Sequence, residues 1–261
     1  MKYWCYVLLV LFIISFLFTY TKFEKKEIDI KETRGLYFSY IEFDDYIKGK
    51  DENTQKKNIN NILDNIKKLK FNRLILHVRP FSDSIYKSNY YPISKTILND
   101  KGKIPEYDIL KYFINEAHKR NILIDAWINP YRISNSKDIY SLDSNSVYYK
   151  FSDSKVTDKG IYLNPANKDV QKLIVDGIVE IVENYDVDGI HFDDYFYPDK
   201  KIDLESFNEY IKNGGKESID EYRYNNVKDL LKLVYSSIKK INKDVVFGIA
   251  PEGNIDNCYN N

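Results

Sequence analysis

The sequence predicts an α/β fold of the (β/α)8 TIM-barrel type with about five βα units present, and three observations favour it. Short apolar runs alternate with stretches of helical periodicity, which is typical of parallel sheets built from βαβ units. Helix-to-strand connections are short and strand-to-helix connections are long, as in barrels whose active sites lie on the loops after the strands. The G-x-G-x-x-G turn of dinucleotide-binding open sheets is absent.

Each predicted element follows from a local pattern. The predicted strands are the apolar runs 34–40, 73–80, 122–131, 187–196 and 245–253. The predicted helices carry apolar residues at helical spacing over 59–69, 107–120, 170–182 and 227–241. Asn53 or Thr54 is the expected N-cap of the first helix. The long connections are 41–53, 81–106, 132–167 and 197–221.

The number of strands is smaller than a barrel needs. A closed barrel has eight strands, so the chain corresponds to the first five-eighths of one. Its sheet would have an unpaired edge on both sides, which is an aggregation liability. We expect either that the chain is cut short or that a partner completes it.

The N-terminal segment has a different composition from the rest. Residues 1–26 are predicted to be a signal anchor with a short linker, and residues 27–261 a single barrel domain. The apolar run from Tyr3 to Tyr20 is long enough to cross a bilayer, and no small-x-small cleavage site follows it. The lysines flanking the run leave its orientation open. Because Cys5 lies inside this run, no disulfide framework is expected.

The charge balance argues against a polyanionic partner. Lys and Arg number 39, as do Asp and Glu, so the formal net charge is zero. No basic stripe typical of nucleic-acid binders is present, and nucleic acid is not an expected partner. The 24 tyrosines suit stacking on sugar rings or bases, although most are expected to pack in the core.

The run "DVDGIHFDDYFYP" at 186–198 is the most informative stretch. It begins as a buried strand yet carries His191, Asp193 and Asp194. Strand alternation puts His191 and Asp193 on one face, and Asp194 on the other unless the strand bulges. Buried charges without partners cost several kcal/mol each, so these residues should pair or face a solvated pocket. Two adjacent carboxylates at a strand end therefore indicate a functional site.

Further polar residues are predicted at the carboxyl ends of the other strands. They are Arg34, His77, Arg79, Asn129, Arg132 and Glu252. Alternation predicts that His77 and Arg79 share a face. For each of these residues, a structural salt bridge or polar network is the alternative to substrate binding. Trp127 and Tyr195 are aromatic residues that could floor a sugar subsite, with core packing as the alternative.

Paired carboxylates suit glycoside hydrolysis, in which one carboxyl group is the acid and another the nucleophile or base. A cation site formed by His77, His191 and Asp193 is a second hypothesis, but no H-x-H or H-E-x-x-H spacing supports it. The G-x-S-x-G turn of serine hydrolases and the P-loop are both absent.

Taken together, the motifs resemble one family. The runs "RGLYFSY", "NRLILHVRPFSDSIYKSNYYPIS", "ILIDAWINPYRIS", "DGIHFDDYFYP" and "VVFGIAPEGN" are similar to those of the glycosyl-hydrolase-like ten proteins, which resemble family-ten glycosidases. The resemblance covers nearly everything from Arg34 to about Asn254. It implies a (β/α)8 barrel, export to the cell envelope, and action on peptidoglycan glycan strands that have lost their stem peptides.

The resemblance also assigns roles. Asp193 and Asp194 are the expected catalytic residues. The resemblance places six expected substrate-binding residues on matching motif positions: Arg34, His77, Arg79, Asn129, Arg132 and His191. Trp127, Tyr195 and Glu252 are further expected substrate-binding residues because they lie at predicted strand ends, and many relatives have a different residue in place of Glu252. No cofactor or metal is expected, and the expected location is the outer face of the cell membrane, or the exterior if the anchor is cleaved. Two alternatives stay open: a non-catalytic glycan-binding or remnant protein from a truncated gene, and a metal-dependent hydrolase or deacetylase.

Overall fold

A five-stranded parallel sheet forms the centre of the computed structural model, which describes residues 32–193 and 196–251. In chain order its strands are β1 (Gly35–Phe38), β2 (Arg73–Arg79), β3 (Leu123–Ile128), β7 (Gly189–Phe192) and β8 (Val246–Ile249). They lie side by side in that order, and each neighbouring pair is parallel. All five predicted strands are confirmed, with shorter bounds.

The four predicted helices are also confirmed, and the long loops add two short ones. The helices are α1 (Tyr40–Tyr46), α2 (Glu52–Lys68), α3 (Ile109–His118), α4 (Lys168–Asn184), α5 (Leu204–Lys212) and α6 (Ile219–Ile241). The predicted N-cap of α2 was wrong. Asp51 caps it, because its Oδ1 accepts the backbone N–H of Thr54 at 3.0 Å. Helix α6 begins before its apolar periodicity, since Ser218 and Glu221 form a capping box there.

The long connection between β3 and α4 contains a small sheet that the sequence did not predict. Its antiparallel strands are β4 (Arg132–Ser134), β5 (Lys155–Thr157) and β6 (Gly160–Tyr162). Strands of three residues are too short to show a period of two. This sheet gives the loop after β3 a defined shape beside the carboxyl ends of the main strands.

The two faces of the main sheet differ in burial. One face packs against the helices, and its central residues Leu76, Ala126 and Ile190 are at most 1% exposed. On the other face, Tyr37 in β1 and Val246 in β8 are 49% and 50% exposed. In a closed barrel that second face would be the filled interior. Within the described residues, β1 and β8 are the two open edges, as expected for an incomplete barrel.

The predicted signal anchor lies outside the described residues. Among the residues that are described, no helix is long and apolar enough to cross a membrane.

Candidate active site

Strand register brings three of the predicted site residues into one row. His77 pairs with Trp127, Trp127 with His191, and His191 with Gly248. Partners in parallel strands point to the same face, so this row lies on the face opposite Leu76, Ala126 and Ile190, which we call the inner face. Gly248 leaves room at the end of the row, since a Cβ there would lie 3.2 Å from His191 Nδ1.

Trp127 is held in a fixed orientation by two neighbouring rings. His77 stacks on its face, with the ring centroids 3.7 Å apart and the planes 7° from parallel. Tyr37 meets it edge-on at 5.3 Å and 84°. Sequence analysis predicted that Trp127 forms the floor of a sugar subsite. In the structure one face of its indole ring is already covered by His77.

Asp193 follows β7 directly and receives two hydrogen bonds from the strand end next to it. Its Oδ2 accepts from Trp127 Nε1 at 3.3 Å and from Asn129 Nδ2 at 3.1 Å. The amide of Asn129 is itself oriented, because its Oδ1 accepts the backbone N–H of Arg132 at 2.9 Å. The Asp193 residue is only 6% exposed. As alternation predicts, it shares the inner face with His191, because Asp193 bonds to Trp127 and His191 packs on Tyr37.

Three ionisable groups around Asp193 are kept neutral. Burial lowers the pKa of His77 well below its ordinary value, and the positive charge of Arg132 lowers it further. Burial also lowers the pKa of His191. The pKa of Tyr37 is raised, first by burial and then by the negative charges of Asp125 and Asp193. The Tyr37 hydroxyl lies 3.0 Å from His191 Nε2, so these two neutral groups share a hydrogen bond.

Arg132 lies at the carboxyl end of the sheet, as predicted. Its Nε donates to the carbonyl of Pro80 at 3.2 Å. The guanidinium lies 4.9 Å from the ring centre of Phe81 and 5.9 Å from that of Tyr40. Arg132 therefore supplies positive charge beside the row formed by His77, Trp127 and His191.

The prediction that His77 and Arg79 share a face was wrong. A register shift lies between them, so that Arg79 pairs with Ile128 on the helix-packed face. The Arg79 guanidinium sits 4.1 Å from the ring centre of Tyr91 and close against Gly177 of α4. At 1% exposure it is buried between sheet and helices, away from the inner face.

The predicted position of Arg34 was also wrong. Arg34 precedes the first residue of β1, so it lies at the amino end of the sheet, opposite Asp193. Its Nε donates to the carbonyl of Lys70 and its backbone N–H to Asn72 Oδ1, both at 2.8 Å. These hydrogen bonds join the start of β1 to the turn between α2 and β2.

Three predicted site residues, Asp194, Tyr195 and Glu252, lie outside the described residues. The cation hypothesis placed His77, His191 and Asp193 together as ligands. In the structure these side chains face Trp127, Tyr37 and Asn129 instead. In the two described ranges, no group of three or more His, Cys, Asp or Glu side chains is arranged to hold a metal ion.

Two residues of the inner face were missed by sequence reasoning. Tyr37 reaches His191 and Trp127 from β1. Asp125 forms a partly buried ion pair with Arg73 and lies one same-face position before the row that contains Trp127. Burial raises the pKa of Asp125 and Arg73 opposes that rise. The sequence "DAWIN" could have indicated Asp125, because Asp125 precedes Trp127 by two residues and alternation along a strand places both on the same face.

The position of Asp125 explains why residue 189 is a glycine. A Cβ on Gly189 would lie 2.2 Å from Asp125 Oδ1. The glycine of "DGIHFDD" is thus required by the carboxylate that lies across it.

Comparison with known sequences places most of the chain in one family. The family model described as glycosyl hydrolase-like 10 matches residues 32–261. Glycosyl hydrolase YngK of Bacillus subtilis (strain 168) is 36% identical over 213 residues, which cover 79% of this chain and 42% of that protein. Glycosyl hydrolase DigH of Escherichia coli (strain K12) is 36% identical over 203 residues, covering 73% of this chain and 46% of that protein. The chain spans less than half the length of these relatives.

Comparison with solved structures supports the fold class predicted from the sequence. The α-L-fucosidase isoenzyme 2 from Paenibacillus thiaminolyticus superimposes with a TM-score of 0.56. The match covers 83% of this chain and 32% of that one at 14% identity, so it bears on the fold alone. It agrees with a sheet of the (β/α)8 barrel type.

Proposed function

The chain belongs to the glycosyl hydrolase-like 10 family, and we propose that it is a glycosidase that cleaves cell-wall polysaccharide, namely peptidoglycan glycan strands. Asp193 and Asp194 are the two proposed catalytic residues, and of these Asp193 is among the residues that the structure describes. Trp127, Asn129 and Arg132 position Asp193 and its surroundings. The proposed location is the outer face of the membrane, through the N-terminal segment.

One observation carries this proposal: the geometry of the Asp193 carboxylate. Its Oδ2 is fixed by an indole N–H and an amide N–H, both from the end of β3. Hydrogen bonds of this kind stabilise negative charge and set the direction of the carboxylate. A carboxylate held in this way at the carboxyl end of a barrel strand lies where barrel enzymes carry their catalytic groups.

The chemistry requires two carboxyl groups at the bond that is cleaved. One protonates the leaving glycosidic oxygen as the bond from C1 to that oxygen breaks. The other carboxylate either takes a proton from the water that attacks C1, or bonds to C1 itself as the glycosidic oxygen leaves and is then displaced by water. The neutral His77, His191 and Tyr37 add no positive charge beside the Asp193 carboxyl group, which suits an oxocarbenium-like transition state at this site.

The substrate class rests on chemistry and on resemblance. Aromatic rings and hydroxyl-bearing side chains at the carboxyl end are suited to sugar rings. The resemblance of "DGIHFDDYFYP" and "AWINPYR" to envelope enzymes favours peptidoglycan glycan over other polysaccharides. Glycan strands freed of stem peptides are the proposed substrate.

The test is chain shortening of purified, peptide-free glycan strands, measured as new reducing ends. We expect Asp193→Asn to lower the rate by about 10²–10⁴-fold, the usual contribution of a positioned acid or base. Asp194→Asn tests the second candidate in the same assay. Circular dichroism and thermal unfolding of each variant establish that it is folded.

Asp186→Asn is the matched control, since Asp186 is an exposed carboxylate near the other end of β7 with its side chain 89% exposed. It should retain the wild-type rate. Wild-type rates for both Asp193→Asn and Asp194→Asn would refute the proposal. Glycan binding by the wild-type chain with no new reducing ends would favour the glycan-binding alternative. Activity lost on exhaustive chelation would favour a metal-dependent hydrolase.

A further inference from the structure

A pocket lined by both hydroxyl-bearing and apolar side chains lies beside the candidate active site, between the loop after β2 and the loop after β3. Its volume is about 220 Å³. Six hydroxyl-bearing residues line it, and we call it the hydroxyl pocket: Ser82, Ser94, Thr96, Ser134, Ser141 and Ser146. None of them was among the residues predicted from the sequence, and none takes part in the proposed chemistry at Asp193.

A chain of hydrogen bonds joins the hydroxyl pocket to Asp193. The hydroxyl of Ser82 donates to the carbonyl of Arg132 at 3.0 Å. The backbone N–H of Arg132 donates to Asn129, whose amide donates to Asp193. Phe81 also lines the pocket, and its ring packs on the Arg132 guanidinium. The pocket is therefore adjacent to the site, separated from it by the side chains of Phe81 and Arg132.

The hydroxyl groups of the pocket offer both donors and acceptors. Ser134 and Ser146 each accept a backbone N–H through Oγ, which leaves their O–H available to donate. Ser82 and Ser141 each donate to a carbonyl, which leaves lone pairs available to accept. Sugar hydroxyls both donate and accept, so a sugar ring matches this mixed lining.

The charges of the pocket disfavour an anionic ligand. Lys95 and Asp143, from opposite walls, pair with each other at 2.8 Å. Asp83 Oδ1 accepts the backbone N–H of Phe81 at 3.1 Å. No other charged residue lines the pocket, so the lining as described has no surplus cation for an anionic group. Its volume is below the ~300–1,000 Å³ of pockets for drug-sized ligands, which suits a single ring.

An exposed aromatic side chain stands next to the pocket. Tyr140, the neighbour of Ser141, is 92% exposed, and Tyr149 from the same loop is 57% exposed. The Tyr149 hydroxyl donates to the carbonyl of Ile139 at 3.4 Å, which keeps these two parts of the loop together. Exposed aromatic rings beside a polar pocket provide stacking surface for sugars.

We propose that the hydroxyl pocket is a second saccharide subsite, which binds an uncharged sugar ring of the same glycan beyond the unit at Asp193. This inference rests on the proposed function for the identity of the glycan. The predicted consequence is length-dependent binding: a longer oligosaccharide reaches both places, and a shorter one reaches only the first.

The experiment measures the binding of a disaccharide and a tetrasaccharide from peptide-free glycan to the full chain by calorimetry. Asp193→Asn is present in every protein compared, so that the glycan is not cleaved during the titration, and wild type here refers to the pocket residues. The wild-type protein should bind the tetrasaccharide about three- to tenfold more tightly, the gain expected from one additional ring contact. Asn135→Trp, which fills an exposed position of the pocket lining, should abolish this difference. Ser144→Trp is the matched control, because Ser144 is exposed on the same loop and does not line the pocket. It should keep the difference.

The outcomes separate this inference from the proposed function. An equal preference for the tetrasaccharide in the wild-type protein and in Asn135→Trp would overturn the subsite, whether or not the glycan is cleaved. Equal affinity of the wild-type protein for the two lengths would also overturn it. Length-dependent binding that Asn135→Trp removes, with no new reducing ends from the chain that retains Asp193, would support the subsite and refute the hydrolase.

Discussion

The two ends of strand β7 each carry an aspartate next to the strand, and their surroundings differ. At the amino end, Asp188 Oδ2 accepts the backbone N–H of Ile124 at 2.7 Å and lies 2.8 Å from His118 Nε2. At the carboxyl end, Asp193 accepts from the side chains of Trp127 and Asn129. One aspartate is tied to backbone and to the end of a helix, and the other to side chains that are themselves oriented.

The difference favours a structural role for Asp188 and supports the proposed catalytic role of Asp193. Asp188 links three elements: the end of α3 through His118, the start of β3 through Ile124, and β7. Short loops meet there and leave little room for a ligand. Asp193 lies where the long loops and the hydroxyl pocket meet. Carboxylates of one strand can thus have separate roles that their sequence spacing alone does not distinguish.

The largest effect on stability is expected for Asp188→Ala. The backbone N–H of Ile124 would lose its acceptor and His118 its partner, and removing one partner of a buried polar group costs about 1–3 kcal/mol. Urea unfolding should show this decrease in the free energy of unfolding. Glycan cleavage per folded molecule should stay at the wild-type level. Asp193→Asn should give the opposite result, with nearly unchanged stability and a lower rate of glycan cleavage. An Asp188→Ala variant that keeps its full stability but loses cleavage would contradict the structural role assigned to Asp188.

The fold was predictable because its signals are local and repeated. The apolar runs and helical spacing gave all five main strands and four helices, and uneven loop lengths indicated which end carries the site. The register shift in β2 was not predictable, because nothing in "HVRP" distinguishes a regular strand from one with a bulge. That single shift moved Arg79 to the helix-packed face. Arg34 was misplaced for a different reason: it is the first residue of the predicted run 34–40, and that position already puts it at the amino end of the strand.

Within the site, the sequence identified the residue types better than their roles. His77, Trp127, Asn129, His191 and Asp193 do come together on the inner face. The sequence predicted Trp127 as a sugar-binding residue, and the structure adds that its N–H bonds to Asp193 and that His77 covers one of its two faces. Such pairings depend on contacts between distant strands, which periodicity within one strand does not encode.

His77 allows a test of the inner face by pH. Burial lowers the pKa of folded His77, so below its ordinary value near 6.5 the unfolded chain binds this proton more readily than the folded one. Protonation then favours unfolding, and the free energy of unfolding should fall as pH decreases from 6.5 toward 5.5, by about 1 kcal/mol per pH unit for this group. His77→Phe retains a ring to stack on Trp127 and removes the titration.

The measurement compares thermal or urea unfolding of the wild-type chain and His77→Phe at several pH values in this interval. The wild-type chain should lose more stability than the variant as the pH falls. Other titratable groups contribute equally to the free energy of unfolding of both proteins, so their contributions cancel when the two values are subtracted. Parallel pH profiles for the two proteins would mean that His77 is not the buried neutral group described above.

The smallest effect is expected for Arg34→Ala, which tests the comparison between the two ends of the sheet directly. Arg34 is exposed at the amino end and donates from Nε to the carbonyl of Lys70. Loss of this exposed hydrogen bond should lower the free energy of unfolding by about 0.5–1 kcal/mol and leave glycan cleavage unchanged. Arg132→Ala is the counterpart at the carboxyl end, where the guanidinium packs on Phe81 beside the site. It should lower the cleavage rate in the same assay. If Arg34→Ala lowered that rate as much as Arg132→Ala, the amino end would have to be part of the functional surface.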